Sequence, residues 1–161
     1  MTTPARVRTC IWIDRDVAGA ARTYTALLPG SRILDMRAFE HMLTNEPEGV
    51  RVIEIELAGT PYTLLEAGPH HPPTDRMSIA VATEDQAETD RLWHALTADG
   101  GQEMACGWLR DRWGVAWQIV PRRVTEMAAS GDRAKVSALL RAMQPMRRLD
   151  LAALEAAWAA G

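Results

Sequence analysis

An internal repeat limits the fold of this chain more than any single motif does. Shifted by 69 positions, Thr9 falls on Ser78, Ile13 on Ala82, Asp16 on Asp85, Tyr24 on Trp93 and Leu27 on Leu96. Further along, Gly59-Thr60-Pro61-Tyr62-Thr63-Leu64-Leu65 lies over Gly114-Val115-Ala116-Trp117-Gln118-Ile119-Val120. Each copy reads strand, helix, strand, hairpin. Short amphipathic elements match by chance, but much less readily in the same order and with the same acidic caps. The repeat predicts an α+β protein of two βαβββ modules, about 7–67 and 76–121, forming one domain over 1–121.

The elements follow from local chemistry. Arg8 to Asp14 alternates and is β-rich, so it reads as a strand. Asp16 caps a helix over 17–28, which Pro29-Gly30 stops. Residues 31–38 form a second strand, and His41 to Gly49 is a polar, turn-rich loop. Val52–Leu57 and Tyr62–Glu66 flank Ala58-Gly59-Thr60-Pro61, a hairpin signal. Gly68-Pro69-His70-His71-Pro72-Pro73 is a linker by composition. In the second copy, Met77 to Ala82 is a strand and Asp85 caps a helix to about Ala98, burying Leu92, Trp93 and Leu96. Gln102–Met104 is short and extended, and the Cys106–Val120 hairpin closes the module.

Residues 122–161 are an additional helical extension. Asp132 or Ser130 caps a segment with Val136, Leu139, Leu140 and Met143 at helical spacing, ended by Pro145. Asp150 caps a last helix bearing Leu151, Leu154 and Trp158 on one side. These apolar stripes need cover, from their own chain or from a second subunit, and a homodimer is the expectation.

Composition excludes some partners. The net charge is −3 and no basic stripe stands out, so nucleic acid is not expected. Seventeen of the 18 basic residues are arginine, which reads as codon bias rather than chemistry. No apolar run approaches the roughly 18 residues of a membrane span, and Met1–Arg6 lacks a signal peptide's apolar core. Cys10 and Cys106 form no metal-type pair, which favours a reduced cytoplasmic protein and leaves a disulfide between them open.

The densest motif is Cys106-Gly107-Trp108-Leu109-Arg110-Asp111-Arg112-Trp113-Gly114-Val115-Ala116-Trp117-Gln118-Ile119-Val120-Pro121, with three of the six tryptophans. With the double βαβββ order and the tail Met146-Arg147-Arg148-Leu149-Asp150, it resembles the PhnB-like family. That family belongs to the glyoxalase/bleomycin-resistance/dioxygenase superfamily, also called vicinal oxygen chelate. Its members often carry the label 3-demethylubiquinone-9 3-methyltransferase domain. A methyl transferase using S-adenosylmethionine needs a glycine-rich turn between a strand and a helix. Gly100-Gly101, the only glycine pair, follows a helix instead.

The resemblance implies a cup of strands that binds a small molecule, and in the superfamily's enzymes a divalent metal. The metal ligands would come from the first and last strands of each module, near Thr9, Thr63, Ser78 and Gln118 here. Three hydroxyls and one amide are poor donors for such a metal, which wants imidazole or carboxylate. Glu66 is the nearest carboxylate that could point inward. The expectation is therefore a ligand-binding protein with Thr9, Thr63, Glu66, Ser78, Trp108 and Gln118 at the site. No metal site, cofactor or catalytic residue is assigned. The alternatives are a metal-dependent lyase, isomerase or dioxygenase, and an interaction protein whose cup is filled by side chains.

Alternation favours a pocket. Ser78, Ala80 and Ala82 share one strand face, and Ala116, Gln118 and Val120 share another. Small, partly polar faces suit a concavity, although they also permit close packing. Trp12, Trp108, Trp113 and Trp117 read first as core or interface, and Cys106 as packing. His41, His70, His71 and His94 form no cluster, and Glu54 and Glu56 read as a solvated face.

Overall fold

The computed structural model describes residues 6–39 and 50–161. The readings for Met1–Ala5 and for the His41–Gly49 loop lie outside the described residues. The chain divides into two units, Met1–Pro72 and Pro73–Gly161. Each holds a four-stranded mixed sheet.

In the first unit β1 (Thr9–Ile13) leads to α1 (Val17–Leu27), β2 (Arg32–Phe39), β3 (Val50–Leu57) and β4 (Thr60–Glu66). The strand order is β1-β4-β3-β2, with β1 parallel to β4 and the rest antiparallel. The Ala58-Gly59 turn of the β3–β4 hairpin has positive φ at both residues, as tight hairpin turns require. One sheet face carries Ile13, Ile53, Ile55, Leu57 and Leu64, all buried, as are Val17, Ala20, Ala21 and Tyr24 of α1. The other face is open.

The second unit repeats the plan with β5 (Ile79–Thr83), α2 (Gln86–Thr97), β6 (Gln102–Glu103), β7 (Trp108–Arg110) and β8 (Ala116–Pro121). Its order, β5-β8-β7-β6, matches the first, again with the first strand parallel to the last. Ile79, Leu109, Trp117 and Ile119 share the buried face, and α2 buries Leu92, Trp93 and Leu96. Trp93 occupies the helical position of Tyr24, and its indole N–H donates to Glu103 Oε1 at 2.8 Å.

The repeat contains a one-residue slip that the sequence did not reveal. Three residues separate β1 from α1 and two separate β5 from α2. The helices therefore align at a shift of 69, whereas the strands align at 70. Thr9 is equivalent to Ile79, not to Ser78. Because strand side chains alternate, a slip of one moves a residue to the opposite face.

The dense motif is organised by Asp111, which is 4% exposed. Its Oδ1 accepts from the backbone N–H groups of Trp113 and Val115 at 2.9 and 3.0 Å. Its Oδ2 accepts from the indole N–H of Trp117 at 2.9 Å. The carboxylate thus shapes the five-residue loop between β7 and β8 and ties it to a core tryptophan.

The C-terminal helices belong to the second unit. The α3 helix (Arg122–Ala128) starts directly from β8 and was not foreseen as an element of its own. It buries Val124 and Met127 and carries Arg122 and Arg123 in its first turn. Arg122 pairs with Glu84, and Arg123 with Glu126 and Glu155. Helices α4 (Arg133–Met143) and α5 (Leu151–Ala160) are capped by Asp132 and Asp150 as expected. Leu139, Leu149 and Leu154 form a buried cluster with Val124 and Met127. The stripes are thus covered largely within the chain, although Leu140 stays 48% exposed.

The two strings that carry the family resemblance meet in space. The backbone N–H groups of Cys106 and Gly107 donate to the carbonyls of Met146 and Arg147 at 2.7 and 2.8 Å. Gln86 completes the clasp by donating to Leu149 O at 3.1 Å and accepting from Leu151 N at 2.7 Å. Gly107 has φ +81°, and a Cβ there would stand 2.8 Å from Ile119 O. Only glycine fits that combination of backbone angle and close approach.

Candidate functional site

On the second unit, the open face carries Ser78, Ala80, Ala82, Trp108, Arg110, Ala116, Gln118 and Val120, by alternation from the register. Ala80 and Ala82 are exposed, Ser78, Trp108 and Gln118 are partly exposed, and Ala116 is buried. Trp108 lies directly opposite Gln118 across the β7–β8 pair. Gln118 Nε2 donates to Ser78 Oγ at 2.8 Å, so these two predicted residues are brought together. The bond orients the Gln118 amide and leaves its carbonyl oxygen to accept from another group. Arg110 Nη2 donates to Asp75 Oδ1 at 2.6 Å. Sequence reasoning missed Arg110 as a site residue, although its spacing of two from Trp108 placed both on one face.

On the first unit, the open face carries Arg8, Cys10, Trp12, Thr63 and Leu65 with Glu54 and Glu56. Cys10 lies beside Thr63 in the parallel register. Cys10 is exposed, and partial desolvation by its surroundings pushes its thiol up from its ordinary value. Glu54 pairs with Arg8 at 2.8 Å and with Arg37 at 4.0 Å, and Glu56 with Arg32 at 3.0 Å. Both carboxylates are thus engaged by arginines. Trp12 donates its indole N–H to Gly68 O at 2.8 Å. The His71 ring stands edge-on to Trp12 with centroids 4.6 Å apart, and His70 lies at 6.3 Å. The linker histidines His70 and His71 are exposed, yet they pack on an aromatic ring. His94 sits exposed in the last turn of α2, and His41 lies outside the described residues.

Two expected site residues lie on the other faces. Thr9 pairs with Tyr62 and shares the α1 side with Ile11 and Ile13, because of the one-residue slip. Glu66 follows buried Leu64 at the strand period and shares its face. It is 6% exposed, accepting from Val17 N at 2.6 Å and from Arg51 Nη1 at 2.7 Å. The carboxylate holds the start of α1 and does not point toward the open face.

A divalent metal does not fit this donor set. At the structurally equivalent first and last strands the open-face pairs are Cys10 with Thr63 and Ala80 with Gln118. These offer a thiol, a hydroxyl, a methyl and an amide, and Gln118 already binds Ser78. Among the described residues no three His, Cys, Asp or Glu side chains gather as a metal-binding group. A phosphate- or nucleotide-binding turn is equally poorly served. The strand-to-helix turns end in Asp16 and Asp85, whose carboxylates already accept from Gly19 N and Glu88 N. Gly100 ends the short helical turn after α2, and Gly101 leads from it into β6.

This geometry, two mixed sheets each with β-strand order first-last-third-second, is the fold of the glyoxalase superfamily. It is shared with the genomically encoded fosfomycin resistance protein FosX of Listeria monocytogenes, at 9% identity and TM-score 0.55, covering 78% of this chain and 97% of that one. Glyoxalase I of Leishmania major is similar at 13% identity and TM-score 0.53, covering 84% of this chain and 99% of that one. The chain belongs to the 3-demethylubiquinone-9 3-methyltransferase family, also called PhnB-like, whose model matches residues 5–120. The PhnB protein of Bacillus cereus has TM-score 0.64 and 23% identity, covering 73% of this chain and 99% of that one. No curated protein matches significantly. These likenesses establish the fold and the family, and leave the chemistry to the residues.

Proposed function

We propose that this protein binds a small organic molecule on the open sheet face of its second unit, without the divalent metal used by the superfamily's enzymes. The observation that carries the reading is the Gln118–Ser78 pair at 2.8 Å. It presents an oriented amide between exposed Ala80 and Ala82 on one side and Trp108 on the other. Small side chains leave room, the indole supplies apolar surface, and the amide supplies direction. The methyltransferase name of the family is not carried over as an activity, because the strand-to-helix turns are filled by aspartate caps.

Two measurements test the proposal. Metal analysis of protein purified without chelator is expected to find substoichiometric zinc, nickel, manganese and iron. Stoichiometric metal in this protein would sink the proposal and support the lyase, isomerase or dioxygenase reading. A fragment screen followed by NMR is expected to give hits that shift Ser78, Ala80 and Gln118. Hits confined to other surfaces would count equally against it.

A further inference from the structure

The guanidinium of Arg110 is only half used. Its Nη2 donates to Asp75 Oδ1 at 2.6 Å. Its Nε is buried and has no hydrogen-bond acceptor among the described residues. The Nε–H and Nη2–H bonds of a guanidinium run nearly parallel and match the two oxygens of a carboxylate or phosphonate. Asp75 supplies an oxygen to just one of them. On the first unit's open face Arg8, Arg32 and Arg37 each meet a carboxylate.

Asp75 is suited to yield. It sits in Pro73–Met77, an exposed run with no regular structure. That run is held to the β7–β8 loop by Pro73, whose Cγ lies 2.8 Å from where a Cβ on Gly114 would be. Arg110 itself is held by the sheet, opposite Ala116 and two residues from Trp108. The rigid partner of the ion pair is therefore the arginine, and the adjustable partner is the aspartate.

We infer that Arg110 recognises a small organic oxyanion, a carboxylate or phosphonate on an apolar or aromatic body, and that Asp75 is an internal stand-in which the ligand displaces. The inference rests on reading this open face as a small-molecule site. The ligand's two oxygens engage Nε–H and Nη2–H, and its body lies toward Trp108 and Gln118. Asp75 keeps the arginine paired in the empty protein and lowers the affinity for weak competitors.

The test uses the full chain, with benzoate and phenylphosphonate as probes and benzyl alcohol as the uncharged control. Calorimetry measures affinity, and NMR follows the Arg110 Nε–H and the Ser78 and Gln118 signals. In the unmodified protein one of the two anions is expected to shift the Arg110 Nε–H. Asp75→Ala should tighten that anion about tenfold by removing the competitor. Arg110→Lys, which keeps the charge and loses the fork, should weaken it about tenfold. Benzyl alcohol should respond to neither substitution. The better anion identifies the ligand class. An anion that shifts Ser78 and Gln118 but is indifferent to both substitutions overturns the role of Arg110 and leaves the open-face site standing. No binding of any probe to any of the three proteins overturns the oxyanion assignment and removes the support for the site itself.

Discussion

Asp111 offers the sharpest test of how this fold is held. Asp111→Ala deletes one carboxylate and strands three donors: Trp113 N, Val115 N and the Trp117 indole N–H. A hydrogen bond to a charged group contributes about 1.5–3 kcal/mol, and an unsatisfied buried donor costs about 1–3 kcal/mol. The two loop amides can turn to water once the loop opens. The Trp117 N–H cannot, because Trp117 is 1% exposed in the core. The expected loss is therefore about 3–5 kcal/mol, the upper end being set by the indole and the lower by rehydration of the loop. Asp111→Asn keeps one acceptor for the loop amides but turns an N–H2 group toward the indole, and should lose about 2 kcal/mol. Urea unfolding followed by circular dichroism measures both, and Trp117→Phe closes a double-mutant cycle. The cycle should return a coupling of about 1–2 kcal/mol. A loss below about 1 kcal/mol for Asp111→Ala, with an unchanged m-value, would refute the reasoning.

Other expectations concern separate parts of the structure. Glu66→Gln should lower stability by about 1–2 kcal/mol, because it weakens both the Val17 cap and the Arg51 ion pair; an unchanged thermal midpoint would contradict the structural role. Gly107→Ala should cost about 2–4 kcal/mol, from the left-handed backbone and the clash with Ile119 O, and a neutral result would show that the clasp with Met146 and Arg147 gives way easily. Partial desolvation raises the Cys10 thiol from 9.0 and the Tyr62 hydroxyl from 10.0. Their contribution is full below those unfolded-state values and is lost as pH climbs through the higher native ones, so stability should fall on the alkaline side. Cys10→Ser should flatten part of that fall in denaturation series taken above pH 9.0, and an unaltered slope would exclude the thiol.

The candidate site was partly legible. Alternation within a strand is local, so Ser78 could be grouped with Ala80 and Ala82, and Gln118 with Ala116 and Val120; strand pairing then brings both faces and Trp108 to one side, where Gln118 binds Ser78. Thr63 also kept its face, since the hairpins align without a gap. Thr9 and Glu66 did not join them. The helix and strand shifts differ by one at the β1–α1 turn, and nothing local to Thr9 records that difference. Glu66 looked available because a carboxylate at a strand end is usually solvated. Its burial depends on Val17 and Arg51, which lie 49 and 15 residues away in sequence.

By itself, the sequence determined the order of elements within the two modules, the aspartate caps, the duplicated βαβββ plan and the family. Those features arise from periodicity, capping and turn chemistry within short windows. Only the tertiary structure decided what Asp111, Gln86 and Arg110 do. Each acts through partners brought close by strand pairing or by the returning C-terminal segment, and a hydrogen bond is set by distance and direction in space. The same tertiary packing buries Leu139 and Leu154 of the α4 and α5 stripes within the chain and leaves Leu140 exposed, which no local pattern records.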